Sequence, residues 1–166
     1  MITYNTPLYQ SLAIVSYNAP ASTAAAAVST PAVDAGLYGR LLFVVLGGLV
    51  DPSTTLDFKL QASATSGGSY TDVSGFAITQ YVAADDNKIA LVEISSEQLV
   101  AAETTAGTSV LNKYRWVKGV ATVGGSGNAV VGLLVIAAHG RFKRPENVAN
   151  IAAVKETVSP IASSQP

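Results

Sequence analysis

"KYRWVKGVATVGGSGNAVVGLLVIAAHG", residues 113–140, decides how the rest of the chain is read. Its first half alternates. Tyr114, Trp116 and Lys118 fall on one side of an extended strand, and Arg115, Val117 and Gly119 on the other. That is the two-residue period of a half-buried strand. Its second half, "AVVGLLVIAAHG" (129–140), is almost wholly apolar, as a long central strand would be. Between them "GGSGN" (124–128) is a glycine turn. One alternating and one continuous strand joined by glycines point to an antiparallel all-β protein.

The same grammar extends toward the N-terminus. "GRLLFVVLGG" (39–48) is an apolar run bounded by glycines, the pattern of a strand buried on both faces. "TTLDFKLQASA" (54–64) alternates, with Leu56, Phe58 and Leu60 on one side and Asp57, Lys59 and Gln61 on the other. "SGGS" (66–69) predicts a tight hairpin whose glycines take positive φ. Tyr70 and Val73 then resume the apolar pattern, and "SGFAITQYV" (74–82) predicts another short strand. After a polar turn, "ADDN" (84–87), "KIALVEIS" (88–95) sets Ile89, Leu91 and Glu93 opposite Ala90, Val92 and Ile94. "SSEQLVAAE" (95–103) has near capping-box spacing and predicts one or two helical turns before a loop over 104–112. Six to eight strands, roughly 10–20 residues apart with glycine turns, predict an antiparallel β-sandwich or jelly-roll-like domain.

The two ends differ from this middle. No Asp, Glu, Lys or Arg precedes Asp34, and "PASTAAAAVSTPAV" (20–33) mixes Ala with Pro, Ser, Thr and Val, which favours extended chain over helix. Residues 1–33 therefore read as a charge-free arm on a neighbouring subunit or as a weak edge strand and loop. Leu8, Tyr9, Leu12, Ile14, Val15 and Tyr17 supply apolar anchors for either. Residues 34–140 read as the sandwich. Residues 141–166 hold Arg141, Lys143, Arg144 and Lys155, four of the ten basic residues. They read as a frayed tail or as a basic C-terminal arm, and fully extended they would span roughly 85–95 Å.

Composition narrows the function. The chain of 166 residues is 49% hydrophobic but only 13% charged, with a formal net charge of -1 at pH 7. Charged residues usually make up about a quarter of a globular domain. Weak repulsion between copies suits a surface largely covered by partners. The absence of cysteine removes disulfides, thiolate metal sites and a thiol nucleophile. "MITYNTPLYQ" has neither the basic nor the long apolar region of a secretory signal. The longest apolar stretches, 41–50 and 129–138, are about half of what a helix needs to cross a bilayer, so no membrane partner is expected.

Chemistry is sparse. His139 is the only imidazole, and at the end of an apolar strand it reads as a structural histidine rather than a triad base. "DPSTTLD" (51–57) and "AADDN" (83–87) lack the alternating oxygen ligands of a calcium loop. "GGLVDPS" and "GGSGN" lack the lysine and following helix of a phosphate loop. No catalytic residue, cofactor or metal is expected. Arg141, Lys143 and Arg144, beside Phe142 and Pro145, could meet phosphates or an acidic protein face. With a net charge of -1, no direct nucleic-acid contact is expected. Tyr114 and Trp116 either fill the space between sheets or form a stacking platform.

Two segments carry a family resemblance. "LDFKLQASATSGGSYTDVSG" (56–75) has a strand ending near "LQAS", a glycine turn, and an aromatic before "TDV". "KYRWVKGVATVGGSGNAVVGLLVIAAHGRFKRP" (113–145) has the aromatic–Arg–aromatic–Val strand Tyr114, Arg115, Trp116 and Val117. A glycine turn, an apolar strand and the exit Gly140, Arg141 and Phe142 follow. Over about residues 40–145 the chain resembles small virion structural proteins of tailed bacteriophages. The resemblance implies a capsid cement or decoration subunit, made in the bacterial host cytoplasm and carried on the phage head. Its partners would be the major capsid protein and itself, as a homotrimer. Leu8, Tyr9 and Tyr17, with Arg141, Phe142, Lys143 and Arg144, would be the contact residues. A tail or neck protein is an alternative. "SATSGGSYTDV" (63–73) is also similar to galactose-binding-like sandwiches, with Tyr70 where a Trp is expected and no acid in the turn. That resemblance implies a carbohydrate-binding or host-adhesion module with Tyr114 or Trp116 exposed.

Overall fold

The computed structural model describes residues 12–99 and 114–140. Within them the chain forms β1 (Leu12–Thr23), β2 (Ala27–Ser29), β3 (Val33–Asp34), β4 (Tyr38–Val50) and β5 (Thr54–Ser63). β6 (Thr71–Ala77), β7 (Ile89–Ser95), β8 (Trp116–Gly125) and β9 (Ala129–Gly140) follow. One sheet has the order β1-β9-β4-β7 and the other β2-β8-β5-β6, every pairing antiparallel. β3 continues the edge of β2 along β8. With β2 and β3 taken as one interrupted strand, two four-stranded sheets in this order are a jelly roll. The all-β sandwich expected from the sequence is the fold that forms.

Alternation builds the core. Leu56, Phe58, Leu60 and Ala62 of β5 are buried, as are Leu41, Phe43 and Val45 of β4. Val117, Ala121 and Val123 of β8 and Val131, Leu133, Val135 and Ala137 of β9 complete the interior. The Phe43 and Phe58 rings meet between the sheets, their centroids 6.4 Å apart. Gly119 makes room for them: a Cβ there would lie 2.7 Å from the Phe58 ring and 3.1 Å from Phe43. Its N–H donates to Thr30 Oγ1 at 3.0 Å, and its carbonyl accepts from the Thr30 N–H at 3.0 Å, bridging the gap between β2 and β3.

Several local expectations need correcting. Positive φ occurs at Ser53, Asn87, Gly75 and Gly125 among the described residues, and not in "SGGS". That turn closes instead through the Gly68 N–H donating to Thr65 O at 3.2 Å, the Thr65 N–H donating to Ser63 Oγ at 3.3 Å, and the Tyr70 hydroxyl donating to Ser66 O at 2.9 Å. "GGSGN" carries the chain from one sheet to the other rather than joining paired neighbours. There Gly125, at φ 91°, is obligatory, since a Cβ would lie 2.1 Å from Ser53 O. β4, expected to be buried on both faces, has an outer face of half-buried side chains, because a two-layered sandwich covers only one side of each sheet.

Residues 12–34 belong to the sheets. β1 is the edge of the first sheet, and β2 and β3 form the edge of the second. Ser16 Oγ donates to Pro31 O at 3.0 Å and Asn18 Nδ2 to Ser29 O at 3.3 Å, stitching the two edges together. The onset of charge at Asp34 is thus no packing boundary. Asp34 closes the corner into β4: its Oδ1 accepts from the Gly36 N–H at 2.9 Å, and its two oxygens take Arg115 Nε and Nη2 at 2.8 and 2.6 Å. After β7, residues 96–99 are helical. The capping box read from sequence is present there, with the Gln98 N–H donating to Ser95 Oγ at 3.2 Å and the Ser95 N–H to Gln98 Oε1 at 2.9 Å.

Candidate interaction surface

The two outer faces of the sandwich differ in chemistry. On the β2-β8-β5-β6 sheet, the side chains pointing away from the core are mostly polar. Thr55, Asp57, Lys59 and Gln61 of β5 lie beside Lys118 and Thr122 of β8 and Asp72 of β6. They bond to one another. Lys59 Nζ reaches Asp72 Oδ2 at 2.7 Å, Gln61 Nε2 donates to Asp72 Oδ1 at 2.8 Å, and Gln80 Nε2 donates to both Asp57 oxygens at 3.0 and 2.9 Å. The hydrogen bond from Lys59, then that from Gln61, holds the Asp72 carboxyl below its ordinary range. This face is built to meet water.

The β1-β9-β4-β7 sheet is different. Its register lays outward side chains in rows across the four strands: Tyr17, Leu134, Val44 and Leu91 in one, Ile14, Ile136, Leu42 and Glu93 in the next. Leu12, Ala138, Arg40 and Ser95 form a third row, and Gly132, Leu46 and Ile89 a fourth. Pro20 packs over Gly132, where a Cβ would lie 2.6 Å from its Cγ. Arg40 and Glu93 are the only charged residues in these rows, and they pair with each other at one end. Leu91 is 63% exposed, Ile89 61% and Tyr17 45%. Their inward neighbours on β7 run from half-buried Ala90 and Val92 to Ile94 at 2%, so this strand is apolar on both sides.

Of the contact residues expected from the sequence, Tyr17 stands on this face, in register with Leu134. Leu8, Tyr9, Arg141, Phe142, Lys143 and Arg144, and the His139 side chain, lie outside the described residues. Sequence reasoning passed over Ile89, Leu91, Leu42, Val44, Leu46, Leu134 and Ile136 as surface residues. The signal was present in "GRLLFVVLGG" and "AVVGLLVIAAHG": a continuous apolar run in a two-layered antiparallel fold must show half its side chains to something other than the core.

Tyr114 is half-buried and packs against the core, whereas Trp116 does not fill the space between the sheets. Val117 takes that position, fully buried, while Trp116 is half-buried on the outer side with Lys118. The Tyr114 hydroxyl lies 2.6 Å from Thr71 Oγ1, and Lys118 Nζ sits 4.4 Å over the Tyr70 ring. Among the described residues, no group of three or more His, Cys, Asp and Glu could hold a metal ion, and no helix is long and apolar enough to cross a membrane.

No known protein family matches the chain, and no curated protein matches it. Among solved structures it is similar to a chain in the structure of infectious bursal disease virus Gx strain, at 12% identity and a TM-score of 0.40. The similarity covers 81% of this chain and 32% of that one, so the chain spans about a third of its length.

Proposed function

We propose that this chain is a non-enzymatic structural protein of a virion, a cement or decoration subunit that binds the assembled phage head and stabilises it. The observation that carries the reading is the apolar outer face of the β1-β9-β4-β7 sheet, beside an opposite face knitted from polar groups. A sandwich with one wet and one apolar side is shaped to lie on another protein. The residue resemblance over 40–145 supplies the class of that protein. The carbohydrate-binding reading draws on no feature of this face, and a tail or neck subunit would use it as a head subunit would.

A subunit of this kind acts by mass action. If it binds the assembled shell and not its separated parts, occupancy stabilises assembly by RT ln(1 + [L]/Kd) per site. Repetition at symmetry-related positions adds avidity to a modest single contact. The major capsid protein is the expected partner, and a homotrimer the expected form on the shell. Tyr17 would contribute from the face itself. Leu8 and Tyr9, with Arg141, Phe142, Lys143 and Arg144, would grip from the two ends of the chain.

The test is addition of the purified chain to phage heads assembled from the major capsid protein of the same virion. Saturable binding to heads but not to unassembled shell protein, with a higher temperature of head opening, is the expected result. Heads that neither bind the chain nor gain heat resistance would dispose of the reading.

A further inference from the structure

The apolar face has a definite size and almost no electrostatic character. Three strand spacings of about 4.8 Å, with side chains at both rims, make it about 20 Å wide. Six steps along β4, from Arg40 to Leu46 at about 3.4 Å each, make it about 20 Å long. The projection is about 400 Å², at the scale of the largest apolar patches that monomers leave in water.

Its chemistry limits what can cover it. Arg40 and Glu93 neutralise each other, so the face offers no uncompensated charge by which to select an acidic or basic partner. It presents pleated rows of Leu, Ile and Val. The complement to such a surface is another uncharged pleated face of similar size, and every copy of the chain carries one. With a formal net charge of -1, copies scarcely repel.

We infer that the outer face of the β1-β9-β4-β7 sheet docks against the same face of a second copy, as a reversible isologous pair. Face-to-face sheet packing places mean strand directions within about 30° of each other and lets two such surfaces interdigitate. The pair closes at two copies across this contact, because the opposite outer face is polar and bonded to itself. The area sets the strength. About 400 Å² from each copy is roughly half of the 800 Å² that each partner gives to a standard stable interface. The association is therefore weak in dilute solution and grows with concentration. The inference does not rest on the virion reading: it describes what covers the face in free solution, and docking on a shell through the same face would displace the second copy.

The test is sedimentation equilibrium of the full chain over a wide concentration range, for wild type, Leu91→Lys, Ile89→Lys and, on the polar face, Thr122→Lys. All three positions are partly or largely exposed, and thermal melting checks that each variant folds. Wild type and Thr122→Lys should show mass rising with concentration toward twice the chain mass. Leu91→Lys and Ile89→Lys should raise the dissociation constant at least about tenfold. A wild type that stays monomeric to millimolar concentration overturns the inference. So does an association that Thr122→Lys weakens and the β7 variants do not. A chain that pairs in this way but ignores heads leaves the inference standing and removes the proposed function.

Discussion

Gly119 ties the core to an edge of the second sheet. It lies where the Phe43 and Phe58 rings meet, and its backbone holds Thr30 on the other edge of β8. Gly119→Ala forces a methyl against Phe58, which cannot retreat without displacing Phe43. The expected cost is about 1–3 kcal/mol, read from the denaturant midpoint at unchanged slope. The sequence put Gly119 on the same side of its strand as Val117, which is correct. It could not show that a glycine was needed there, because the reason is a ring from a residue some sixty positions earlier. Gly68 teaches the same lesson. It looks like a turn glycine chosen for its φ, and is one chosen for the hydroxyls of Ser63 and Thr65.

At the scale of elements, periodicity was a good guide within strands and a poor one between them. Alternation in 54–64 and 113–123 separated the two faces of β5 and β8, since a period of two depends only on local pleating, but it did not tell that Val117 rather than Trp116 faces inward. Which strands pair is a matter of distant contacts, so "GGSGN" gave no sign that β8 and β9 enter different sheets. The corner from β3 into β4 was likewise invisible, because Asp34 meets Arg115 across 81 positions. Asp34→Ala should destabilise the fold by about 1 kcal/mol through loss of the cap on the Gly36 N–H alone. Asp34→Asn should recover part of that loss, since an amide oxygen still accepts from Gly36. Thermal melting of the two variants side by side tests the corner. The apolar outer face was half legible: its residues were read as buried strands, and the error lay in assuming that a cover existed.

For the molecule as a whole, the tyrosines set a limit at high pH. Burial pushes the Tyr38 phenol above its ordinary value of 10.0, and the Asp34 carboxylate pushes it further. Burial also raises Tyr81, with Asp85 adding to the shift and Lys88 opposing it, and raises Tyr70. A raised folded pKa means that the fold prefers the neutral phenol. The stability this gives is intact below the unfolded value near pH 10 and drains away as pH climbs through the folded values. Melting temperature should therefore hold steady from pH 8 to about 10 and fall beyond it, in step with tyrosinate absorbance. Tyr38→Phe should blunt that fall; an unchanged alkaline profile in this variant would remove Tyr38 from the account.

The position of β9 carries a consequence in time. Among the described residues it is the last strand to be synthesised, yet it lies between β1 and β4, inside its sheet. β8, just before it, fills the same central place in the other sheet. On a ribosome working at about 5–20 residues per second, β4 waits roughly 5–18 seconds for its partner to emerge. Until β8 and β9 emerge, neither sheet has the strand that joins its β2 or β1 edge to the rest. Folding itself, built on long-range pairings, falls in the millisecond-to-second class. Arrest of synthesis before Ala129 should leave a protease-sensitive chain, and release of Gly140 should convert it abruptly to a resistant one.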